Sequence, residues 1–329
     1  MTLNDWYDFG IEAVVGFVIS VVTGFILLRV LSRLRLKQTV YEDAPKTHRA
    51  KTGTPTMGGI AILAAIAPWW YLSRDAGPRA LLFLVFACAS IGFIDDYLGI
   101  RRGKNRGLRA RTKLLLTALV AVMFLRLADG VPSGSLPFSQ DVLFHAGSYI
   151  MHVPHWLWLI LGVAAITGTI HAVNLTDGLD GLATGSLIAP LIVVWVVAVG
   201  MSIPTEDNWP AVLPFAIGGL LGFIIYNTYP AKMIMGDTGS LALGALLSGA
   251  AILTGEMLLL VVIGGLFVAE ALSVMLQVVY FKLTSGKRIF KMSPLHHHFE
   301  LSGWPETKVT TRFWIASTIC SAVGLAIVR

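Results

Sequence analysis

Two adjacent carboxylates at the end of an apolar run are the feature of this sequence that most suggests chemistry. Asp95 and Asp96 directly follow the apolar run 80–93. A basic segment comes next, and its cations are Arg101, Arg102, Lys104, Arg106, Arg109, Arg111 and Lys113. Because carboxylates hold Mg²⁺ and cations hold phosphates, the arrangement predicts a metal-dependent site that handles phosphate groups. The alternative interpretation is that these charges only mark the end of a helix.

Two further segments place acids beside glycines. Residues 174–182 read Asn-Leu-Thr-Asp-Gly-Leu-Asp-Gly-Leu, and residues 236–240 read Gly-Asp-Thr-Gly-Ser. A tight turn is one interpretation of the Asp-Gly pairs, but a turn needs only one Asp. Asp177 and Asp180 are three residues apart, a spacing that puts both on one helical face if the next helix starts early. Asp237 can face a metal or cap the helix that follows, and these two interpretations do not exclude each other.

Three consecutive histidines, His296, His297 and His298, form the fourth polar segment. Consecutive histidines do not easily bind one tetrahedral zinc ion, and no second cluster with ligand spacing accompanies them. We therefore expect these imidazoles to face a diphosphate or to hold their loop by hydrogen bonds. Glu270 lies inside an apolar run, where a lone acid is costly, so it is expected to be hydrogen-bonded within the protein or to face a polar groove rather than to act in catalysis.

Cations and hydroxyls suited to phosphate contacts occur before the second apolar run. Residues 51–56 read Lys-Thr-Gly-Thr-Pro-Thr, which lacks the Gly-x-x-x-x-Gly-Lys order of a Walker loop. Lys51 and Thr56 are nevertheless candidates for phosphate or sugar contacts. Lys113, at the start of a later apolar run, is a third candidate.

The composition identifies the kind of protein that must position these residues. The 329 residues are 55% hydrophobic and 13% charged, whereas soluble domains carry about 25% charged residues. Apolar runs of roughly 17 to 25 residues recur along the chain, which indicates a polytopic helical membrane protein with residues 1–329 in a single transmembrane domain. The net charge of +6 does not indicate a nucleic-acid partner, because 21 of the 25 Lys and Arg residues fall in a few loops, as the positive-inside rule describes. Cys88 and Cys320 lie in apolar runs and imply no disulfide framework.

The apolar runs predict an all-α protein with about ten membrane-spanning helices and both termini on the periplasmic side. The predicted helices cover about 14–31, 58–72, 80–93, 113–127, 155–173, 183–200, 212–226, 241–253, 257–281 and 313–328. Residues 129–154 contain no Lys or Arg and are expected outside, as a hairpin or an interfacial helix. This topology brings one set of polar residues to the cytoplasmic face: Asp95, Asp96, Asn174, Asp177, Asp180, Asn227, Asp237, His296, His297 and His298.

Four motifs in this order resemble the polyprenyl-phosphate N-acetylhexosamine-1-phosphate transferases. They are Asp95-Asp96-Tyr97, the segment 174–182, the segment 236–240 and Pro294-Leu295-His296-His297-His298. The likeness extends from Lys46 to Arg312. Ser-Pro-Leu before the histidines and Phe-Glu after them are similar to the muramoyl-pentapeptide branch, whereas relatives that use N-acetylglucosamine carry a differently spaced histidine motif.

The resemblance implies a reaction at the bacterial cytoplasmic membrane. UDP-MurNAc-pentapeptide and undecaprenyl phosphate would give lipid I and UMP, with Mg²⁺ as cofactor. This is the first membrane step of peptidoglycan synthesis. The resemblance also implies that the enzyme is a homodimer. The nearest alternative is a sister transferase that uses UDP-GlcNAc. A secondary transporter is a further alternative, for which Glu270 is the only supporting feature, because transporters place ionisable residues near the bilayer midplane.

The resemblance also implies residue roles. Asp237 would bind Mg²⁺, and Asp95 or Asp96 would assist the lipid phosphate as a base or hold the metal, with the choice between them open. The uridine and diphosphate pocket would be lined by Asn174, Asp177, Gly178, Asp180 and Asn227. Lys51, Thr56 and Lys113 would contact phosphates or sugar, and His296, His297 and His298 would lie at the pentapeptide-sugar side. Some family members carry a Phe that stacks on uracil three residues before the metal-binding Asp, and this chain has Ile234 there.

Overall fold

The computed structural model describes residues 1–34, 53–72, 76–102, 107–128, 142–146, 149–200 and 209–328. Its helices are α1 (Leu3–Leu34), α2 (Gly59–Ile66), α3 (Trp69–Leu72), α4 (Ala76–Arg101), α5 (Ala110–Ala128), α6 (His155–Thr176), α7 (Leu182–Ser186), α8 (Ile188–Gly200), α9 (Val212–Asn227), α10 (Gly236–Leu253), α11 (Leu259–Ile263), α12 (Gly265–Leu283), α13 (Leu295–Glu300) and α14 (Glu306–Val328). Lys51 lies outside the described residues, so its phosphate contact stays a prediction.

Eight segments of the described chain are long and apolar enough to cross a membrane, which makes this a multi-pass membrane protein. They are Leu3–Arg33, Ala76–Arg101, Trp156–Thr176, Leu182–Gly200, Trp209–Asn227, Gly236–Leu253, Gly265–Leu283 and Glu306–Val328. The second and fourth predicted helices do not meet the same criteria. Pro68 separates α2 from α3, because proline lacks an N–H and restricts the residue before it. Helix α5 carries three cations, Arg111, Lys113 and Arg126, among its 19 residues.

The prediction of an all-α chain needs one correction. Strands β1 (Val142–Ala146) and β2 (Tyr149–Val153) form an antiparallel hairpin, with Val142 opposite Val153 and Ala146 opposite Tyr149. Both strands are rich in β-branched and aromatic residues, which favour extended backbone. Of the two structures expected for this part of the chain, the described residues therefore form the hairpin and not the interfacial helix.

Helix α10 is the centre of the packing. Every residue of α10 is buried except Asp237, and α2, α4, α6 and α8 all pack against this helix. Its sequence is rich in Gly, Ala and Ser, whose small side chains let neighbouring helices approach closely in a membrane. The one residue of α10 that is not buried is thus the acid that the sequence singles out.

Exposed apolar side chains concentrate on four other helices. Large apolar residues with exposed side chains are numerous on α1, α5, α12 and α14, as shown by Val18, Leu115, Leu276 and Ile319. An apolar outer surface around a tightly packed centre is the arrangement that a lipid environment requires.

Candidate functional site

The first turn of α10 is the base of the candidate site. The helix begins at Gly236, five residues before the predicted start, so Asp237 belongs to its first turn. Gly236 has φ +76°, and a Cβ on it would lie 2.7 Å from Asp96 Oδ2 and 2.8 Å from Thr56 Oγ1. Glycine is therefore required here both for backbone conformation and for space. The same closeness places Thr56 beside the start of α10, and its contact with phosphate stays a prediction.

Asp96 on α4 holds the start of α10 from outside that helix. Its Oδ1 accepts a hydrogen bond from the backbone N–H of Asp237 at 3.1 Å. Its Oδ2 accepts from the Thr238 backbone N–H at 3.0 Å and from Thr238 Oγ1 at 2.7 Å. The interpretation of Asp237 as the helix cap is therefore wrong, because the carboxylate that satisfies the first N–H groups comes from Asp96.

Gly92 is the reason α4 can come this close. A Cβ on Gly92 would lie 2.1 Å from the backbone oxygen of Asp237. Any larger residue at that position would separate α4 from α10 and pull the Asp96 carboxylate away from the helix start. The contact of Gly92 with the Asp237 backbone, one turn earlier in α4, thus sets the position of Asp95 and Asp96 relative to the start of α10.

Lys113 joins the two remaining carboxylates. Its Nζ lies 3.2 Å from Asp95 Oδ1 and donates a hydrogen bond to Asp237 Oδ2. These side chains are 14% exposed for Lys113 and Asp95 and 22% exposed for Asp237, so solvent or a ligand reaches all three. Asp95 is held in place by the Leu108 backbone N–H, which donates to its Oδ1 at 2.8 Å.

Asn174 brings α6 to the same carboxylate. Its Nδ2 donates to Asp237 Oδ1 and to Ser240 Oγ, each at 2.8 Å. One turn earlier in α6, His171 Nε2 lies 3.1 Å from Thr117 Oγ1, and Thr117 is one turn beyond Lys113 in α5. Both oxygens of Asp237 therefore have partners, one from α5 and one from α6.

The segment 174–182 is not helical where the acids lie. Helix α6 ends at Thr176 and α7 begins at Leu182, so the prediction that Asp177 and Asp180 share one helical face is wrong and the turn interpretation holds. Asp180 is buried, and its Oδ2 accepts from the Ala231 backbone N–H at 2.9 Å. Its own backbone N–H donates to Glu306 Oε1 at 2.7 Å.

Asn227 secures the far end of this segment. Its Oδ1 accepts from the Gly181 backbone N–H at 3.2 Å and from Thr184 Oγ1 at 2.6 Å, and its Nδ2 donates to the Met233 backbone oxygen at 3.1 Å. The residue is 2% exposed. The Asn227 amide thus links the start of α7 to the segment that precedes α10. Its predicted contact with substrate stays a prediction.

The three histidines have different surroundings. His296 is fully buried and is bonded to Glu270, which confirms the expectation that Glu270 is hydrogen-bonded within the protein. His297 Nδ1 lies 2.8 Å from Glu300 Oε2, and His298 Nδ1 accepts from the Lys291 backbone N–H at 3.1 Å. The histidines therefore hold their own loop by hydrogen bonds, which is one of the two alternatives expected from the sequence.

Four residues that support the site were not among the predicted ones: Thr117, His171, Thr238 and Glu306. Thr238 stands next to a residue that was singled out, and Glu306 is an acid shortly before the last apolar run. Thr117 and His171 lie inside apolar runs and are related by a contact across 54 residues. Polar residues within such runs are a usable signal, but their partners are not readable from spacing.

The charges at the start of α10 favour a cation. Asp95, Asp96, Asp237 and Lys113 carry a formal charge of −2 within one set of contacts. Within the described ranges, no three His, Cys, Asp or Glu side chains are grouped so as to enclose a metal ion. Mg²⁺, however, commonly takes only one or two carboxylates and completes its shell with waters and substrate phosphates. The donor set of Asp95 and Asp237 fits that kind of binding.

Comparisons with known proteins give one consistent result. Residues 79–255 match the glycosyl transferase family 4 model, and residues 51–63 match phospho-N-acetylmuramoyl-pentapeptide-transferase signature 1. Relatives with that transferase name include proteins of Desulforamulus reducens (42% identity, 96% of this chain and 94% of the relative), Desulforudis audaxviator (42%, 96% and 97%) and Staphylococcus carnosus (41%, 95% and 97%). Matches of this length cover the helices and every motif described above. The chain belongs to the phospho-N-acetylmuramoyl-pentapeptide-transferases of glycosyl transferase family 4.

Proposed function

We propose that this chain transfers phospho-MurNAc-pentapeptide from UDP-MurNAc-pentapeptide to undecaprenyl phosphate, which gives lipid I and UMP. A lipid phosphate oxygen attacks the sugar-linked phosphorus, and the bond from that phosphorus to the UMP oxygen breaks. The observation that carries the proposal is the meeting of Asp95, Asp237 and Lys113 at the start of α10. Phosphoryl transfer needs mainly positioning and neutralisation of charge, and this cluster supplies groups for both.

Magnesium is part of the proposal. Asp237 would hold the ion, with Asp95 as the second carboxylate near the same ammonium. Bound Mg²⁺ supplies neutralisation of the diphosphate charge. Lys113 would then lose its contact with one of the two carboxylates. Its ammonium would instead donate a hydrogen bond to a phosphate oxygen, which an ionised carboxylate cannot do because it has no donor.

The two adjacent aspartates have separate roles in this proposal. Asp96 uses both oxygens to hold backbone and hydroxyl donors of Asp237 and Thr238, so it positions the start of α10. Asp95 is partly exposed beside Lys113, so it is the carboxylate that faces the reacting phosphates. Asp95 is therefore the better candidate to assist the lipid phosphate.

The remaining roles follow the motif order. Asn174, Asp177, Gly178, Asp180 and Asn227 belong to the uridine and diphosphate side, together with Thr56 and Lys51 on the phosphates. The histidine segment lies at the pentapeptide-sugar side. We place the protein as a homodimer in the bacterial cytoplasmic membrane, with ten spans, periplasmic termini and the site facing the cytoplasm, a topology supported by the positions of the cations.

The test is an assay of the purified protein in detergent. It contains UDP-MurNAc-pentapeptide, undecaprenyl phosphate and Mg²⁺, and it follows release of UMP together with the lipid product. Product is expected with Mg²⁺ and not after the metal is removed by a chelator. Product with UDP-GlcNAc in place of the muramoyl donor would assign the chain to the sister reaction, and product that persists without divalent metal would contradict the magnesium site.

A further inference from the structure

A carboxylate inside a membrane-spanning helix reaches into the histidine segment. Glu270 belongs to α12 and is 0% exposed. Its Oε1 accepts a hydrogen bond from the His296 backbone N–H at 3.2 Å and lies 3.2 Å from His296 Nδ1. A charged group buried at this depth is costly unless it is paired, so we expect the Glu270–His296 pairing to have a role in the protein.

The Glu270 contact selects one form of the His296 ring. An ionised carboxylate only accepts hydrogen bonds, so the ring nitrogen that faces it must carry the proton. Nδ1 is then protonated and Nε2 keeps its lone pair. A proton on Nε2 as well would place a charged N–H where, among the described residues, no acceptor lies within hydrogen-bond distance.

The other side of the ring is in contact with the loop between α6 and α7. A Cβ built on Gly178 would lie 2.3 Å from His296 Nε2. Gly178 is thus the residue that lets the ring and the loop come together. The loop also carries Asp177, and it directly follows the last turn of α6, in which Asn174 holds Asp237. A displacement of the His296 ring would therefore move the loop that runs to the catalytic carboxylate.

We propose that Glu270 is a positioning residue for the nucleotide-sugar side of the reaction: it fixes the His296 ring with Nδ1 protonated and Nε2 directed at Gly178, and so sets where the loop with Asp177 lies. The kinetic part rests on the proposed function, because that function assigns this loop to the uridine and diphosphate. The ring contact itself rests only on the geometry of Glu270, His296 and Gly178.

The first experiment reads the His296 ring directly. The wild-type protein in detergent is labelled with ¹⁵N at its histidines, and the His296 signals are identified as those lost in His296→Gln. The expected pattern is a protonated Nδ1 and an unprotonated Nε2, and Glu270→Leu, which removes the acceptor that faces Nδ1, is expected to change it. An Nε2-protonated or doubly protonated ring in the wild type would overturn the proposal, and this readout needs neither substrate nor activity.

The second experiment separates the two substrates. Glu270→Leu, which removes the acceptor, is expected to raise the KM for UDP-MurNAc-pentapeptide about tenfold, the effect of losing a hydrogen bond to a charged group. The KM for undecaprenyl phosphate is expected to stay within about twofold, because the altered loop belongs to the other substrate. The matched control is Ser273→Ala, since Ser273 is buried one turn further along α12 and, among the described residues, its hydroxyl bonds only to the Glu270 backbone oxygen.

A double-mutant cycle tests whether the pair acts as one unit. Glu270→Leu, His296→Gln and the double variant are expected to raise the KM for the nucleotide substrate by similar factors, because each breaks the same contact. Additive effects, or equal rises in both KM values, would overturn the positioning role. If the wild type makes no lipid product, the proposed function fails, while the ring-nitrogen signals still decide the Glu270–His296 pairing.

Discussion

The cluster at the start of α10 and the Glu270–His296 pair are both acid–base contacts, but they differ in access. Lys113, Asp95 and Asp237 are 14–22% exposed, and the ammonium is shared between two carboxylates. Glu270 and His296 are 0% exposed and are bonded to each other. The first group can exchange its partners for metal and phosphate without rebuilding the fold. The second cannot, so it acts through the position of the groups around it.

Within one dipeptide the difference is one of partners, because Asp95 and Asp96 are both partly buried. Asp95 shares the partly exposed Lys113, whereas Asp96 binds the backbone at the start of the buried helix. Successive residues of a helix point about 100° apart, so neighbours in sequence face different surroundings. The partners of each side chain, rather than its residue type, are therefore the basis on which we propose a reacting role for Asp95 and a positioning role for Asp96.

The largest expected effect is at Asp237. Asp237→Asn removes the charge that would hold the metal, and we expect kcat to fall by at least about a hundredfold, in line with loss of a main electrostatic contact. The variant should unfold at nearly the wild-type temperature, because an amide keeps most of the shape of the side chain. Turnover in the detergent assay across a range of Mg²⁺ concentrations checks this. Asp8→Asn, in the exposed first part of α1, is the control and should leave turnover unchanged. Near-normal turnover of Asp237→Asn at low Mg²⁺ would contradict the metal role.

The second prediction separates the adjacent aspartates. Asp95→Asn should lower kcat by roughly a hundredfold with little change in the unfolding temperature. Asp96→Asn should instead lower the free energy of unfolding by about 1–3 kcal/mol, because it loses charge-assisted bonds to the N–H groups of α10. Thermal unfolding in detergent and turnover are measured for both variants. The opposite assignment, with a stable inactive Asp96→Asn and an unstable active Asp95→Asn, would show that the roles are reversed.

The third prediction concerns Asn227, which the sequence analysis placed in the substrate pocket. Asn227→Ala removes an amide that joins Gly181, Thr184 and Met233, so we expect a loss of about 2–3 kcal/mol in the free energy of unfolding. The KM for the nucleotide substrate should rise only a few-fold, because the amide is directed at protein groups. A rise in KM of a hundredfold with unchanged unfolding would show that Asn227 contacts the substrate directly.

Much of the site could be predicted from the sequence because the motifs lie at helix ends. The positive-inside pattern and the apolar runs predict that Asp95, Asn174 and Asp237 share one membrane face, and the structure brings these residues together. The early start of α10 was missed, because Gly236-Asp237-Thr238-Gly239-Ser240 has the composition of a turn. The helical start is supported by packing against α4 and α6 and by the Asp96 carboxylate, which accepts from the first N–H groups.

Other features depend on contacts between distant residues. Glu270 meets His296 across 26 positions, and Asp180 meets Glu306 across 126. No spacing rule relates such pairs, so the sequence marks a polar residue in an apolar run without indicating its partner. The break between α2 and α3 is different, because Pro68 was a readable signal for it.

The smallest expected effect lies behind Lys113. Thr117 is fully buried, and its Oγ1 lies 3.0 Å from the Lys113 backbone oxygen and 3.1 Å from His171 Nε2. Thr117→Val keeps the shape but leaves His171 without this partner, which costs about 1 kcal/mol and loosens the contact between α5 and α6. Because α5 carries Lys113 and α6 carries Asn174, both partners of Asp237 would be less well placed. We therefore expect kcat to fall about three- to fivefold with both KM values unchanged.

Thr167→Val is the matched control for Thr117→Val. Thr167 is also buried, but within the described part of the chain its hydroxyl bonds only to backbone oxygens of its own helix, to Val163 at 2.6 Å and Ala164 at 3.4 Å. The two variants remove the same hydroxyl group from a helix interior, and they differ in whether a contact between α5 and α6 is lost. Equal kcat values for the two would show that Lys113 and Asn174 keep their places without the Thr117–His171 contact. The partly exposed cluster would then hold itself together by its own charges, and the comparison with the buried Glu270–His296 pair would become sharper.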